Sequence, residues 1–177
     1  MIKPHEMDNE RIALGGGCHW CTEAVFQSLK GIIKVEQGFV ASEDENESFS
    51  EAVIVHFNPK EIKLKTLVEV HLYTHKSTVN HSRRKKYRSA MYTFSEEQNV
   101  LANRIIKDLQ SLFDNRLTTE VLPFKKFMPS EERFLNYFYS NHKKPFCKTY
   151  INPKLKYILD KFSRQVRKEK ILPVLNQ

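Results

Sequence analysis

Apolar residues in the first 94 positions recur with two different periods, one typical of strands and the other typical of helices. Short runs rich in β-branched residues predict strands at 11–14, 32–40, 52–57 and 88–94. Apolar side chains at helical spacing predict helices that begin near residues 18 and 64. The predicted order is therefore strand, helix, strand, strand, helix, strand.

This order is that of the split βαβ unit. We expect an α+β, ferredoxin-like two-layer core (βαββαβ) at about 10–94, with helices on one face of an antiparallel sheet. Ser95 is predicted to cap a further helix that extends to Phe113, and a last helix is expected at about 153–168. Between them, FKKF at 124–127 opens an aromatic-rich segment and could form an edge strand. We expect a single domain over 1–177, in which 95–177 form a helical and irregular C-terminal extension.

Composition favours a cytoplasmic protein. The mean hydropathy is −0.54, no apolar run approaches the roughly 20 residues that span a bilayer, and the polar start MIKPHEMDNE is unlike a secretory signal. The net charge of +8 is concentrated at 83–86 and 154–170. We interpret these basic blocks as solvated surface, since no recognition motif accompanies them, and expect a monomer that binds neither nucleic acid nor membrane.

Candidate chemistry is concentrated in ALGGGCHWCTEAVF at 13–26. Three cysteines, at 18, 21 and 147, are too few for a disulfide framework, and no further ligands complete a metal site. A helix that begins at Cys18 favours its thiolate through unpaired N–H groups and the helix dipole. The glycines before it allow a substrate to approach closely. The pattern therefore predicts a nucleophilic or redox thiol and no metal.

Five segments, in order along the chain, carry a family signature: GCHWCTE at 17–23, GI to GF at 31–39, EAVIVHFNP at 51–59, YRSAMY at 87–92 and PFCKTYINPKL at 145–155. They resemble the A-type peptide methionine sulfoxide reductases. The YRSAMY strand is similar to that family's Tyr-Arg-Ser-x-Ile-Tyr almost letter for letter. The chain resembles a divergent member of this family.

The resemblance implies reduction of methionine sulfoxide, free or in peptides and proteins, with specificity for the S epimer and no cofactor. Cys18 would attack the sulfoxide sulfur, leaving methionine and a cysteine sulfenic acid. Glu51 matches the proton donor, and we expect burial to keep this carboxyl protonated at neutral pH. Tyr87 matches a tyrosine whose hydroxyl holds the sulfoxide oxygen.

Three residues near the thiol are candidate substrate-binding residues. The resemblance makes Trp20 one wall of the pocket for the substrate's methyl group. His19 stands where the family has Phe as the other wall, and it brings a titratable group. Glu23 could orient the site or stabilise the first helical turn.

Turnover requires a second thiol and a reductant such as thioredoxin. Cys147, which matches the family's C-terminal cysteine, is slightly favoured as the resolving residue, with Cys21 a close alternative. Two other functions stay open: a thioredoxin-like dithiol oxidoreductase that uses Cys18 and Cys21, and a weakly active or inactive homologue with a basic binding surface.

Two loops depart from the family pattern. Between Gly38 and Glu51 the chain is shorter, and SEDENES at 42–48 has no counterpart of a second substrate-binding tyrosine. Before Tyr87, SRRKK at 82–86 replaces a Gly-rich loop that contains Asp and Gln. Loss of one of two oxygen-binding hydroxyls predicts a rate roughly 10²- to 10³-fold lower, as for loss of an oxyanion donor.

Overall fold

The computed structural model describes residues 9–176; positions 1–8 of the polar start lie outside the described residues. A six-stranded sheet is formed by β1 (Glu10–Gly15), β2 (Ile32–Ala41), β3 (Ser50–Phe57), β4 (Ala90–Thr93), β5 (Glu120–Pro123) and β6 (Lys126–Pro129). The helices are α1 (His19–Gln27), α2 (Leu64–Thr74), α3 (Glu96–Leu109), α4 (Tyr137–Ser140), α5 (Asn152–Lys161) and α6 (Lys168–Leu175). None of these helices has the length and apolar character needed to cross a membrane.

The strand order β5-β4-β1-β3-β2-β6 contains the ferredoxin-like sheet at its centre. β4, β1, β3 and β2 pair antiparallel in that order, which confirms the predicted βαββαβ core. β6 pairs antiparallel with β2, so 126–129 do form an edge strand. β5, which the sequence pattern did not predict, lies parallel to β4. Its four residues are too few to show a period of two.

Alternate residues of the sheet enter two separate apolar clusters. Ile12 and Leu14 of β1 face the main core, which includes side chains of α1, α2 and α5. Ala13 faces the opposite side, where Tyr92 is fully buried. Phe94 and Phe124 stack there with ring centroids 4.4 Å apart. The helices therefore cover one face of the sheet. Small residues and the stacked rings of Phe94 and Phe124 cover the other face.

Helices α1 and α2 begin close to the predicted positions, whereas α3 ends at Leu109 and a 3₁₀ helix continues to the predicted end at Phe113. Ser95 caps α3 by accepting the backbone N–H of Gln98 at 3.1 Å, as predicted. The single helix predicted at 153–168 is wrong, because α5 ends at Lys161 and α6 begins at Lys168. Backbone groups between them bond instead to the end of α1: the Arg167 N–H donates to the Ser28 carbonyl at 2.8 Å. A continuous helix would have required those groups for itself.

Candidate active site

Cys18 lies between the glycine turn and the first turn of α1. It is the N-cap residue of this helix and is partly exposed. The Cys21 thiol donates a hydrogen bond to its sulfur, and the backbone N–H groups of Trp20 and Cys21 point to the same atom. These donors lower the pKa of Cys18 although burial and Glu51 oppose them. The geometry therefore holds a thiolate at a helix N-terminus.

Two histidines, one buried and one half-buried, contact the glycine turn. His71 Nε2 lies 2.8 Å from the Gly15 carbonyl, and its ring stacks on His75 at 4.2 Å. A Cβ on Gly16 would lie 2.4 Å from the His75 ring, so this position requires glycine. The helical spacing of the two histidines was visible in the sequence. Their contact with the turn depends on how α2 docks on β1 and was not.

The other two cysteines are buried thiols. The hydrogen bond that Cys21 donates to Cys18, together with burial, raises the pKa of Cys21. Cys147 is close enough to Cys21 to act on it electrostatically, and burial raises the pKa of Cys147 as well. All three cysteines are free. Within residues 9–176, no group of three or more His, Cys, Asp or Glu side chains is arranged to hold a metal ion.

Glu51 lies at the start of β3 and is 6% exposed. Its Oε1 is 3.4 Å from the backbone nitrogen of His19 and 3.2 Å from His19 Nε2. Among the described residues its Oε2 is buried without a hydrogen-bond partner, and Lys86 Nζ is 3.8 Å away. The structure thus brings together Cys18, His19 and Glu51, which are separated by up to 33 positions. The carboxyl retains one oxygen that a bound molecule could use.

Tyr87 and Cys18 line the same groove, which has a volume of about 740 Å³. Lys86 Nζ lies 5.0 Å from the centre of the Tyr87 ring, and Arg83 lies 5.8 Å from it. Lys86 also hydrogen-bonds to the Tyr87 hydroxyl, which raises the pKa of Lys86. The tyrosine therefore enters the groove between two cations.

Arg84 holds the loop that carries Tyr87. Its guanidinium donates to the carbonyls of Gly16 and Tyr87 at 2.9 Å, and also to those of Lys76 and Val79. The basic block was interpreted as solvated surface, which fits exposed Arg83, Lys85 and Lys86 but not this residue. Sequence reasoning missed Arg84 because one arginine among four basic residues carries no distinguishing signal.

Trp20 packs against the C-terminal extension. Its ring is nearly parallel to Tyr137 at 4.1 Å, stacks on Phe134 at 5.6 Å and meets the edge of Phe146 at 5.3 Å. Phe146 also lines the groove of Cys18. The role of Trp20 as a wall for the substrate's methyl group stays a prediction.

Glu23 hydrogen-bonds to the backbone of the C-terminal extension. It is 2% exposed and accepts the backbone N–H groups of Asn136 and Tyr137, each at 3.0 Å. Burial raises the pKa of this carboxyl although both hydrogen bonds oppose the shift. The geometry gives Glu23 a structural role, and its predicted contact with substrate is untested.

The site combines a cysteine at a helix start, a second thiol hydrogen-bonded to it and a buried carboxyl beside it. This arrangement is typical of a thiol-dependent oxidoreductase. Residues 10–167 match the family model described as Peptide methionine sulfoxide reductase. The peptide methionine sulfoxide reductases MsrA of Sulfolobus acidocaldarius and Trichodesmium erythraeum are each 33% identical to this chain, over 86% and 89% of it and 95% and 98% of their own lengths.

Solved structures agree with the sequence comparison. Mxr1 from Saccharomyces cerevisiae in reduced form superposes with a TM-score of 0.72 at 24% identity, over 85% of this chain and 94% of that one. Mxr1 in complex with Trx2 superposes with a TM-score of 0.60 at 26% identity, over 75% and 88% of the two chains. The chain belongs to the peptide methionine sulfoxide reductase family, which confirms the resemblance. Neither alternative function receives support from these matches.

Proposed function

We propose that this chain reduces methionine sulfoxide to methionine with Cys18 as the nucleophile. The observation that carries the proposal is the position of Cys18, the N-cap residue of α1, which lines one groove together with Cys21 and Tyr87. The lowered pKa of its thiol agrees with this position. The thiolate attacks the sulfoxide sulfur, and the sulfoxide oxygen takes a proton and passes to Cys18. Thiolate, sulfoxide and one proton thus become a cysteine sulfenic acid and methionine.

Glu51 supplies the proton, and Tyr87 holds the oxygen that receives it. A sulfoxide is a poor electrophile until its oxygen is protonated, so a buried acid beside the nucleophile supplies what the step needs. Oε2 of Glu51 is free of other hydrogen bonds, and the Tyr87 hydroxyl lies in the groove of Cys18. The resemblance implies that the S epimer is the substrate.

Cys21 is well placed to resolve the sulfenic acid first. Its thiol already bonds to Cys18, so attack on the oxidised sulfur forms a Cys18–Cys21 disulfide and releases water. Cys147, near Cys21, can then exchange into this disulfide and free Cys18. The motif slightly favoured Cys147 as the direct resolving residue, so both routes require a test. A yeast relative forms a complex with Trx2, and we take a thioredoxin as the reductant of this chain.

Single-turnover chemistry with each epimer and no reductant tests both the function and the route. With one equivalent of the S epimer we expect about one methionine per chain, and one free thiol remaining of the three. Cys147→Ser should also form a disulfide and leave no free thiol. Cys21→Ser should make methionine but accumulate a sulfenic acid that dimedone traps. The products are counted by mass spectrometry.

Two results would contradict these expectations. Absence of methionine with either epimer would refute the function. A disulfide that forms as fast in Cys21→Ser as in the wild type would show that Cys147 resolves Cys18 directly.

The groove favours anionic substrates. Lys76 and Arg83 line it from the loop between α2 and β4, and Lys154 lines it from α5. Within residues 9–176, no Asp or Glu lines the groove. Because exposed ion pairs each contribute up to about 1 kcal/mol, sulfoxide peptides flanked by Asp should have a kcat/KM about 10-fold higher than peptides flanked by Lys. The difference should decrease with salt.

Arg83→Glu should reduce or reverse this preference. Lys107→Glu on the exposed face of α3 makes the same change in net charge outside the groove lining and serves as the control. Equal kcat/KM values for both peptides at low salt would refute the preference.

The three free thiols favour a reducing compartment, and the cytoplasm is the proposed location. One domain and a monomeric state remain part of the same proposal. Equilibrium sedimentation of the full chain would test the monomer.

A further inference from the structure

His19 forms a buried pair with Glu51. Both residues are 6% exposed. The imidazole is fixed on both sides, with Nδ1 2.7 Å from the Gly38 carbonyl and Nε2 3.2 Å from Glu51 Oε1. Phe39 meets the ring edge to face at 5.1 Å. The ring therefore has one orientation in which both nitrogens are engaged.

The partners of the two nitrogens determine how many protons the pair holds. A carbonyl oxygen can only accept, so Nδ1 carries a hydrogen toward Gly38. Nε2 of a neutral ring then presents a lone pair to Glu51, and an ionised carboxylate would present another. Two lone pairs at 3.2 Å repel each other, and one proton between them converts the contact into a hydrogen bond.

We infer that His19 and Glu51 share one proton between Nε2 and Oε1. His19 is then the positioning residue that keeps this proton available to the sulfoxide that Cys18 attacks. The inference rests on the proposed function and adds the source of its proton. In each turnover a rotation of the carboxyl turns this proton from Nε2 toward the sulfoxide oxygen, which takes it as its bond to sulfur breaks. The pair then regains a proton from water. The repulsion left after transfer favours that return.

The surroundings determine on which atom the proton lies. Burial lowers the pKa of His19, and Lys86 lowers it further, while Gly38 and Glu51 oppose the shift. Of the two atoms that share the proton, these effects favour Oε1 of Glu51 over Nε2 of His19. The other titratable groups near the pair are Cys18, which Glu51 influences electrostatically, and Lys86, which bonds to Tyr87.

Infrared and nitrogen NMR spectra of the substrate-free full chain test the inference. The wild type should show at neutral pH a protonated-carboxyl band that Glu51→Gln lacks, and a neutral His19 with hydrogen on Nδ1. His19→Phe keeps a ring beside Phe39 but has no nitrogen for Glu51. It should therefore lower the pH at which the band disappears by about 1 unit, the effect of losing one hydrogen bond to the protonated carboxyl.

The same shift should appear in the upper pH limit of single-turnover methionine formation. His56→Phe is a matched control, since His56 Nε2 pairs with Glu36 Oε2 at 2.6 Å on the part-exposed surface of the same sheet. That variant should change neither the pH at which the carboxyl band disappears nor the upper pH limit of methionine formation. If His19→Phe does not fold, His19→Gln replaces it and should shift the limit in the same direction, because its amide stabilises the carboxylate.

An ionised Glu51 beside a neutral His19 at neutral pH would overturn the inference, as would equal pH limits in the wild type and the variant. These spectra require no substrate. They therefore report the protonation of the pair independently of methionine formation. Absence of methionine formation would refute the proposed function instead.

Discussion

Replacing Cys18 by serine should abolish methionine formation, with a loss of about 10⁴-fold or more in the single-turnover rate, the scale on which removal of a catalytic nucleophile falls. A serine hydroxyl stays protonated under the same three donors that stabilise the Cys18 thiolate. The variant should fold normally, because Cys18 is partly exposed at the helix start and serine is a good N-cap residue. The loss should therefore appear in activity and not in the unfolding temperature.

Alkylation provides a second measurement of the same property. The lowered pKa of Cys18 means that a larger fraction of it is thiolate at a given pH than of an ordinary cysteine, and this fraction decreases as the pH falls through that pKa. Iodoacetamide should therefore modify Cys18 well before Cys21 or Cys147, which are buried and have raised pKa values. Cys147→Ser is the matched control and should retain the first turnover. Preferential alkylation of Cys147, or methionine formation by Cys18→Ser, would contradict the assignment.

The core of the fold was predictable because its signals are local. The hydrophobic periods typical of strands and of helices alternate clearly in the first 94 residues, and Ser95 indicates the start of α3 as a typical N-cap residue. The extension was harder to predict. β5 is defined by its pairing with β4, and the break between α5 and α6 exists because the backbone there bonds to the end of α1. Those partners are distant in sequence, so no local pattern contains them.

The candidate site shows the same division. The glycines before Cys18 and the helix pattern behind it indicated an activated thiol from the sequence alone. The sequence could not show that Arg84 holds the Tyr87 loop through four carbonyls, or that Glu23 binds the extension. Both roles are hydrogen bonds from side chains to distant backbone, which depend on tertiary structure.

His19 shows how a departure from a motif can be interpreted chemically. As a pocket wall, a histidine is a smaller apolar surface than the phenylalanine of the family pattern, and it brings a titratable group. In the structure, the same residue contacts the carboxyl that the reaction needs. The departure therefore concerns the proton as much as the pocket, which makes Glu51 the second residue whose removal should have a large effect.

Replacing Glu51 by glutamine should reduce the single-turnover rate by about 10²- to 10⁴-fold, the range for loss of a general acid. Glutamine has nearly the same shape and can still accept the backbone N–H of His19, so the start of α1 should be preserved. What it cannot do is deliver a proton to the sulfoxide oxygen. Alkylation of Cys18 should then remain about as fast as in the wild type, because the Cys21 and backbone donors that lower the pKa of Cys18 are unchanged.

The pH dependence of Glu51→Gln separates loss of the acid from loss of the pocket. Without an internal acid, the proton must come from solvent, so the variant's rate should rise as the pH falls, down to the pH at which Cys18 itself becomes protonated. The wild type should lack this dependence while its carboxyl stays protonated. A variant within threefold of the wild-type rate would exclude Glu51 as the donor. A slow variant with an unchanged pH profile would assign the residue to substrate positioning instead.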